Sequence, residues 1–255
     1  MTAEFFKSWF LPGIWITVQV TFLSAALAFV ISFVIGLART APSKLVRILA
    51  GIYFEVFRST SSLVFMFWIA FTVPMLFQIK FIGMAAGVIA LGMTYGAYGS
   101  EIVRGALQAV PPAQREAGIA LNFTRVQRLR RIEIPQAWPE MLPPFNNLLI
   151  ELLKGTSLVS LIIVADMTFA GNLQRLVTGD SAPVYTLLLV VYFVLAFLLT
   201  RGMRLLERRA KAKLGQAPPK GGLFGGLRER GAIDAVTGTA GTAGTAGTAG
   251  TGGAK

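Results

Sequence analysis

The residues of this chain that could do chemistry are charged and amide side chains set among long apolar runs. The chain contains no Cys and no His, which removes thiolate catalysis, Cys-ligated metal and the commonest general base. A metalloenzyme is therefore not expected, and no metal ligands are assigned. The remaining candidates suit binding better than catalysis. They form two groups, one within the apolar runs and one in a basic segment between two of them.

The first group consists of polar side chains inside or beside apolar runs. Glu55 and Arg58 stand three residues apart, as do Glu101 and Arg104, so each pair would share a helix face and could pair. A charge at the centre of a lipid-facing helix costs about 2.5–3.5 kcal/mol, which favours helix ends or the protein interior. Both signs of charge would suit a path for a zwitterionic solute; the alternative is simple neutralisation at the inner interface. The candidate path residues are Glu55, Arg58, Glu101, Asn147, Glu151 and Lys154.

The second group is the segment 116–135, EAGIALNFTRVQRLRRIEIP, which is helix-prone and carries four arginines. Ala117, Ala120 and Leu121 are three and four residues apart and would share one face of low bulk. Such a face permits close seating in a partner groove, and Glu116 near the helix start suits the positive end of the helix dipole. The alternatives are that the small face packs against the chain's own spans and that the arginines form a solvated face.

Long apolar runs must position both groups. Of the 255 residues, 54% are hydrophobic and 14% are charged, against about 25% charged in soluble domains. We predict an all-α polytopic membrane protein with five transmembrane helices. A polar loop is expected over 166–183. The predicted spans are residues 12–37, 63–77, 81–103, 145–164 and 184–199.

The distribution of positive charge predicts the orientation of these spans. Five spans put residues 39–58, 104–154 and 201–255 on one side, and these segments hold 21 of the 24 Lys and Arg residues. Positive residues stay cytoplasmic, so the amino terminus is expected outside and the carboxyl terminus inside. Topology thus accounts for the net charge of +12 without nucleic acid as a partner.

The two ends of the chain differ from the membrane domain, which is predicted over residues 12–214. Residues 1–11 read as a short interfacial segment rather than a signal peptide, because the apolar run that follows is long enough to span a bilayer. Residues 215–255 contain Thr-Ala-Gly repeats, a composition that buries no core and predicts a flexible cytoplasmic tail.

The segment 116–135 resembles the EAA loop of the membrane subunits of ABC importers, through Glu116-Ala117 and Ile132, Ile134 and Pro135 at their offsets. It departs from the family pattern at Gly118, at Ile134 and at Asn122, where the family usually has Gly. Asn tolerates a left-handed backbone well, so the turn is expected to persist. Further segments resemble the polar amino acid uptake branch: Phe57-Arg58-Ser59-Thr60, Glu101-Ile102-Val103-Arg104-Gly105-Ala106 and Lys154-Gly155-Thr156-Ser157-Leu158.

The resemblance implies the multi-pass permease subunit of a type I ABC importer in a bacterial plasma membrane. A cytoplasmic coupling helix would lie between the third and fourth spans and dock on ATPase subunits. Further partners would be an extracytoplasmic solute-binding protein and a second permease subunit, either a copy or a homologue. ATP-Mg is expected on the ATPase, with no cofactor on this chain. The ATPase-coupling residues would be Glu116, Ala117, Gly118, Ala120, Leu121, Asn122, Ile132 and Pro135.

The expected solute is a polar amino acid or a similar small zwitterion, a class that includes compatible solutes such as ectoine. One alternative is an ABC permease for another solute class, which the loop alone would allow. A secondary transporter would want internal repeats and more polar residues at mid-membrane, and no repeat is visible among the five predicted spans. A membrane enzyme is disfavoured by the missing Cys, His and paired inward carboxylates.

Overall fold

The computed structural model describes residues 6–78 and 83–213, and within those two ranges every regular element is helical. The predicted all-α class is confirmed for this part of the chain. A π-helical turn (Phe6–Phe10) leads into α1 (Leu11–Arg39), followed by α2 (Lys44–Ser59), α3 (Ser62–Phe67), a π turn (Trp68–Thr72), α4 (Val73–Phe77) and α5 (Gly83–Ala109). Then come α6 (Pro112–Ala120), α7 (Arg125–Arg128), a π turn (Leu129–Glu133), α8 (Ile134–Gly155), a 3₁₀ segment (Thr156–Ile162), α9 (Met167–Thr178) and α10 (Ser181–Lys213).

Three helical stretches of the described residues are long and apolar enough to cross a membrane: Ser8–Arg39, Arg125–Ile162 and Ser181–Ala210. A fourth arises if Lys44–Ser59 and Ser62–Phe77, which are bent by 100°, form one broken span. The predicted count of five depends on α5, which is 27 residues long but less apolar, so that count stays a prediction. Residues 8–11 of the expected interfacial segment are continuous with the first span, and the expected tail, residues 215–255, lies outside the described residues.

The centre of the fold is the contact between α1 and α5. A Cβ placed on Gly96 of α5 would lie 2.7 Å from Ile31 of α1, so glycine is needed for this approach. The hydroxyl of Ser32 donates to the carbonyl of Ala28 at 2.6 Å and also lies 3.3 Å from that of Gly96. Small residues and satisfied hydroxyls are what allow two helix backbones to meet in lipid.

The polar loop predicted over residues 166–183 is wrong, because α9 occupies most of it. Asp166 caps this helix: its Oδ1 accepts from the backbone N–H of Phe169 at 2.9 Å. Gly179 ends it with a left-handed φ of 74°. Amide and hydroxyl residues hide the helical period in the sequence, yet Met167, Ala170 and other small or apolar residues of one face are buried.

The fourth span was predicted to begin near Phe145, but α8 already begins at Ile134 and contains three internal prolines, Pro139, Pro143 and Pro144. Proline removes a backbone donor and usually kinks a helix. Here Ala137 and Met141 are buried against Val103 and Leu107 of α5. Packing of this kind lets a membrane helix keep internal prolines.

Candidate coupling segment and polar helix face

The coupling segment, residues 112–133, is a folded helix–turn–helix. Pro112 starts α6 in the first helical turn, shortly after the end of α5. Asn122 ends it with a φ of 56°. Its N–H donates to Ile119 at 2.9 Å and the N–H of Phe123 donates to Gly118 at 3.0 Å. This pair of bonds is a Schellman cap, so Asn122 makes the left-handed turn that Gly makes elsewhere.

The second half of the segment is held by a capping box and by contact with α6. Thr124 accepts from the N–H of Gln127 at 3.3 Å, and the Gln127 side chain accepts from the Thr124 N–H at 2.9 Å. Gly118 is buried, and a Cβ added there would lie 3.0 Å from Ile132 and 3.1 Å from Arg128. Glycine in place of the family's third small residue therefore lets the two halves pack together.

The predicted coupling residues divide between an outer and an inner side. Gly118 is buried and Ile132 is partly buried, so both hold the segment together. Two apolar residues that the sequence analysis did not single out extend this outer side next to Leu121, which is 66% exposed: Ile119 and Val126 are 57% and 71% exposed. The sequence did offer a signal that Ile119 and Val126 are part of this surface, because they are apolar residues in an otherwise charged stretch. The exposed members of the predicted set are Glu116, Ala117, Ala120, Leu121, Asn122 and Pro135.

Two arginines fasten the coupling segment to the rest of the chain, and a third forms an ion pair within it. Arg115 donates to the carbonyl of Leu107 at the end of α5, and Arg125 donates to the carbonyl of Thr40 between α1 and α2. Arg128 pairs with Glu133 at 3.1 Å. These three side chains therefore do not form a purely solvated basic face.

The predicted pairing of Glu101 with Arg104 is confirmed and extended. Arg104 pairs with Glu101, and Arg39 of α1 reaches the same carboxylate at 2.7 Å. Arg39 also lies 3.9 Å from the ring centroid of Phe54 on α2. The triad thus ties α1 and α5 together beside α2, which favours neutralisation over an open solute site at Glu101.

The second predicted pair does not form. Glu55 and Arg58 are both exposed, and no ion pair joins them among the described residues. The Arg58 guanidinium instead lies 5.7 Å from the Phe54 ring, on which Arg39 also lies.

The remaining candidate path residues share one exposed face of α8. Asn147, Glu151 and Lys154 are four and three residues apart and are all exposed, which places them on one side of the helix. Tyr95 of α5 donates to the backbone carbonyl of Glu151 at 3.0 Å, leaving the carboxylate outward. We call these three residues the polar face of α8. It lies within a stretch apolar enough to cross a membrane, where lipid contact would be costly.

These features define a polytopic helical membrane protein with a folded segment between two spans. Residues 28–212 match the family model described as the inner membrane component of binding-protein-dependent transport systems, and the chain belongs to this family. It is therefore a non-catalytic membrane subunit, consistent with the chemistry that its composition excludes. The resemblance read from the segment 116–135 is confirmed at this level.

Relatives of known class and a solved structure support the same placement. The chain is 46% identical over 200 residues to a probable amino-acid ABC transporter permease of Sinorhizobium fredii, covering 76% of this chain and 84% of that protein. It is 32% identical to an L-cystine transport system permease of Bacillus subtilis, covering 77% and 84%. A crystal structure of an amino acid ABC transporter with histidines matches with a TM-score of 0.73 and 32% identity, covering 82% of this chain and 100% of that chain.

Proposed function

We propose that this chain is the permease subunit of an ATP-driven ABC importer for a polar amino acid or a similar small zwitterion. The observation that carries the proposal is the coupling segment: a folded helix–turn–helix that presents small and apolar side chains outward between two membrane spans. The solute class rests on the relatives, whose names refer to amino acids, cystine and histidine. Compatible solutes such as ectoine fall within the same chemical class.

ATPase subunits would dock on the outer side of the coupling segment. Ala117 and Ala120 offer little bulk, Leu121 offers apolar area, and Glu116 adds a negative charge beside them. The capping box, the Schellman cap and the burial of Gly118 allow the segment to move as one body. Because Arg115 and Arg125 attach it to α5 and to the α1–α2 turn, closure of the ATPase pair would pull directly on the helices that form the centre of the fold.

The polar face of α8 would line the solute path. Glu151 and Lys154 offer both signs of charge, as a zwitterion requires, and Asn147 adds an amide that can donate and accept. Lipid cannot satisfy these groups, so a second permease subunit, identical or homologous, would cover the face and enclose a polar path. Glu55 and Arg58 would then line its entrance or contact that partner, and Glu101 would act through its ion pairs.

The proposed topology has five spans, with α5 as the third. The carboxyl ends of α1 and α5, which carry Arg39 and Arg104, and the amino-terminal end of α8 would lie in the cytoplasm with the coupling segment and the carboxyl terminus of the chain, and the amino terminus would lie outside. An extracytoplasmic binding protein would deliver solute to the opposite side. The membrane would be a bacterial plasma membrane. The domain limits proposed are residues 1–11, 12–214 and 215–255.

Reversing the charge of Glu116 tests the coupling role. The variants Glu116→Lys and Glu116→Gln are compared in proteoliposomes that contain the chain, its partner ATPase, its solute-binding protein and radiolabelled polar amino acids. Glu116 is exposed, so neither variant should alter membrane insertion or the yield of folded protein. We expect Glu116→Lys to abolish ATP-driven uptake and to weaken copurification of the ATPase, with Glu116→Gln intermediate.

Two outcomes would contradict the proposal. Unchanged uptake by Glu116→Lys would remove the coupling role from this segment. Uptake that persists without any ATPase would point to a secondary transporter. The solute class is tested in the same vesicles by competition among zwitterionic, cationic and neutral sugar compounds, and preference for a sugar would refute it.

A further inference from the structure

A cavity of about 680 Å³ lies between the coupling segment, the end of α5 and the turn that joins α1 to α2. Its wall includes Leu37 and Leu107, but most of its polar atoms come from basic side chains. Five arginines and a single carboxylate line it: Arg39, Arg47, Arg115, Arg125, Arg128 and Glu133.

The cavity has more positive charge than its surroundings neutralise. Arg39 and Arg128 have carboxylate partners in Glu101 and Glu133. Arg115 and Arg125 donate only to backbone carbonyls, which satisfy a donor but carry no net charge.

Two further details show a need for an acceptor. The Nε atom of Arg115 is buried and has no hydrogen-bond partner, and a buried unsatisfied donor costs free energy. Arg47, on the opposite wall, is exposed and forms no ion pair with any described residue. Three guanidinium groups around one cavity repel each other until an anion enters.

The position of the cavity indicates where the anion would come from. Arg39 is the last residue of one candidate span, and Arg125 is the first residue of another. The cavity therefore begins where the span that ends at Arg39 leaves the hydrocarbon, which is the depth of lipid headgroups, and extends to the start of the helical stretch that leads into the other span. Beside it, α2 exposes Leu45, Ile48 and Leu49, which are 67%, 58% and 58% exposed. Such apolar side chains would contact acyl chains rather than water.

We propose that this cavity binds the phosphate group of an acidic phospholipid whose acyl chains lie along α2. Arg47, Arg115 and Arg125 would surround the phosphate, and guanidinium groups suit it because their planar fork donates two parallel hydrogen bonds. The lipid would join the coupling segment to the start of α2 through its headgroup. This inference does not require that the solute or the ATPase contact be as proposed above, because it concerns the chain and its bilayer alone.

Lipid titration of the purified full-length chain tests the site. The chain is delipidated in a non-ionic detergent, and three probes are added separately: short-chain phosphatidylglycerol, short-chain phosphatidylcholine and inorganic phosphate. Native mass spectrometry reports bound lipid, and thermal unfolding reports stabilisation. We expect saturable binding of phosphatidylglycerol, little binding of phosphatidylcholine, and weakening by salt because the contact is ionic.

Matched variants locate the binding. A charge close to an anionic headgroup contributes about fivefold in affinity, so Arg47→Gln and Arg115→Gln should each weaken phosphatidylglycerol binding about fivefold. The double variant should weaken it further than either single variant. Arg130→Gln removes the same charge from an exposed position outside the cavity and should change nothing. Arg47→Gln breaks no internal contact, so a folding defect cannot explain its effect.

Three results would overturn the proposal. They are equal binding of the two lipids, wild-type affinity in Arg47→Gln, and an Arg130→Gln defect as large as that of Arg47→Gln. Strong binding of inorganic phosphate, with no gain from the acyl chains, would show that the cavity takes a soluble anion, and the lipid would be refuted as its ligand.

Discussion

Helices α5 and α10 are both long, yet they are buried to very different degrees. Twelve of the 27 residues of α5 are buried, whereas among residues 181–210 of α10 only Val184 and Leu188 are. The helix with less apolar character lies inside the protein, and the more apolar one faces outward. In a bilayer, a run of large apolar residues indicates contact with lipid, while frequent small residues indicate contact with another helix.

The physical reason is that lipid tails are as apolar as leucine, so burying leucine between helices gains little. Association depends on close packing and on hydrogen bonds between helices. α5 satisfies both conditions through its glycines and through the carbonyl of Met93, which accepts from the Tyr53 hydroxyl of α2 at 2.9 Å. α10 has no comparable series of small residues.

The largest effect is expected from placing a side chain on a glycine of each helix. A Cβ on Gly99 of α5 would lie 1.9 Å from the Ser32 hydroxyl oxygen and 3.2 Å from Phe145, whereas one on Gly202 of α10 meets nothing within 4 Å. Gly99→Leu should cost about 3 kcal/mol or more, the upper range for overpacking. Gly202→Leu should change stability by about 0.5 kcal/mol or less.

Thermal unfolding and monodispersity of the two variants in detergent measure this difference. If both variants lose the same stability, burial within this chain does not determine how α5 and α10 tolerate an added side chain. Loss in Gly202→Leu alone would show that α10 contacts a partner subunit through that position.

A smaller effect concerns the one end of α10 that is buried. There Leu188 packs against Gly171 of α9, and a Cβ added to Gly171 would lie 2.7 Å from the Leu188 side chain. The helix α9 is capped by Asp166 at its amino-terminal end. Burial raises the pKa of the Asp166 carboxyl from 3.8 to about 6. The folded state thus binds a proton more tightly than the unfolded state. This group therefore favours folding most below pH 4, and that contribution is lost as the pH rises towards 6.

Asp166→Asn keeps the acceptor that caps α9 and removes the ionisation. It should flatten the pH dependence of the unfolding temperature between pH 4 and 6 and stabilise the fold at pH 7 by on the order of 2 kcal/mol. Asp166→Ala loses the cap as well, at a cost of about 1 kcal/mol. If Asp166→Asn destabilises the fold at pH 7 as much as Asp166→Ala does, the carboxylate is needed in its charged form.

The features that the sequence could predict are local ones, which depend on composition or on residues close together in the chain. Spacing alone indicated the Glu101–Arg104 pair. The family resemblance indicated a turn at residue 122, and the tolerance of Asn for a left-handed backbone indicated that the turn would persist. Both depend on neighbours within a few residues. The span read for α1 also needed only its own composition.

Features made by distant segments were not predictable from local pattern. α9 was read as a loop because amides and hydroxyls interrupt its apolar face, and only packing against α1 and α10 decides its state. The pairing of Arg39 with Glu101 joins residues 62 apart, and the cavity near Arg47 and Arg125 needs three separate segments. The missing Glu55–Arg58 pair is different, because it is local: the Arg58 guanidinium lies 5.7 Å from the ring of Phe54 on the same helix.

The smallest effect is expected at Asn122, where local caps rather than helix packing hold the structure. A φ of 56° suits Gly better than any residue with a Cβ, so Asn122→Gly should stabilise the turn by a few tenths of a kcal/mol, whereas Asn122→Val should cost about 1–2 kcal/mol. Because the turn is exposed and lies outside the α1–α5 core, neither variant should move the main unfolding transition as Gly99→Leu does. Solute-stimulated ATP hydrolysis by the reconstituted complex should instead fall in Asn122→Val and persist in Asn122→Gly. Equal hydrolysis in both would mean that the geometry of this turn does not transmit the motion, even though the segment around it docks.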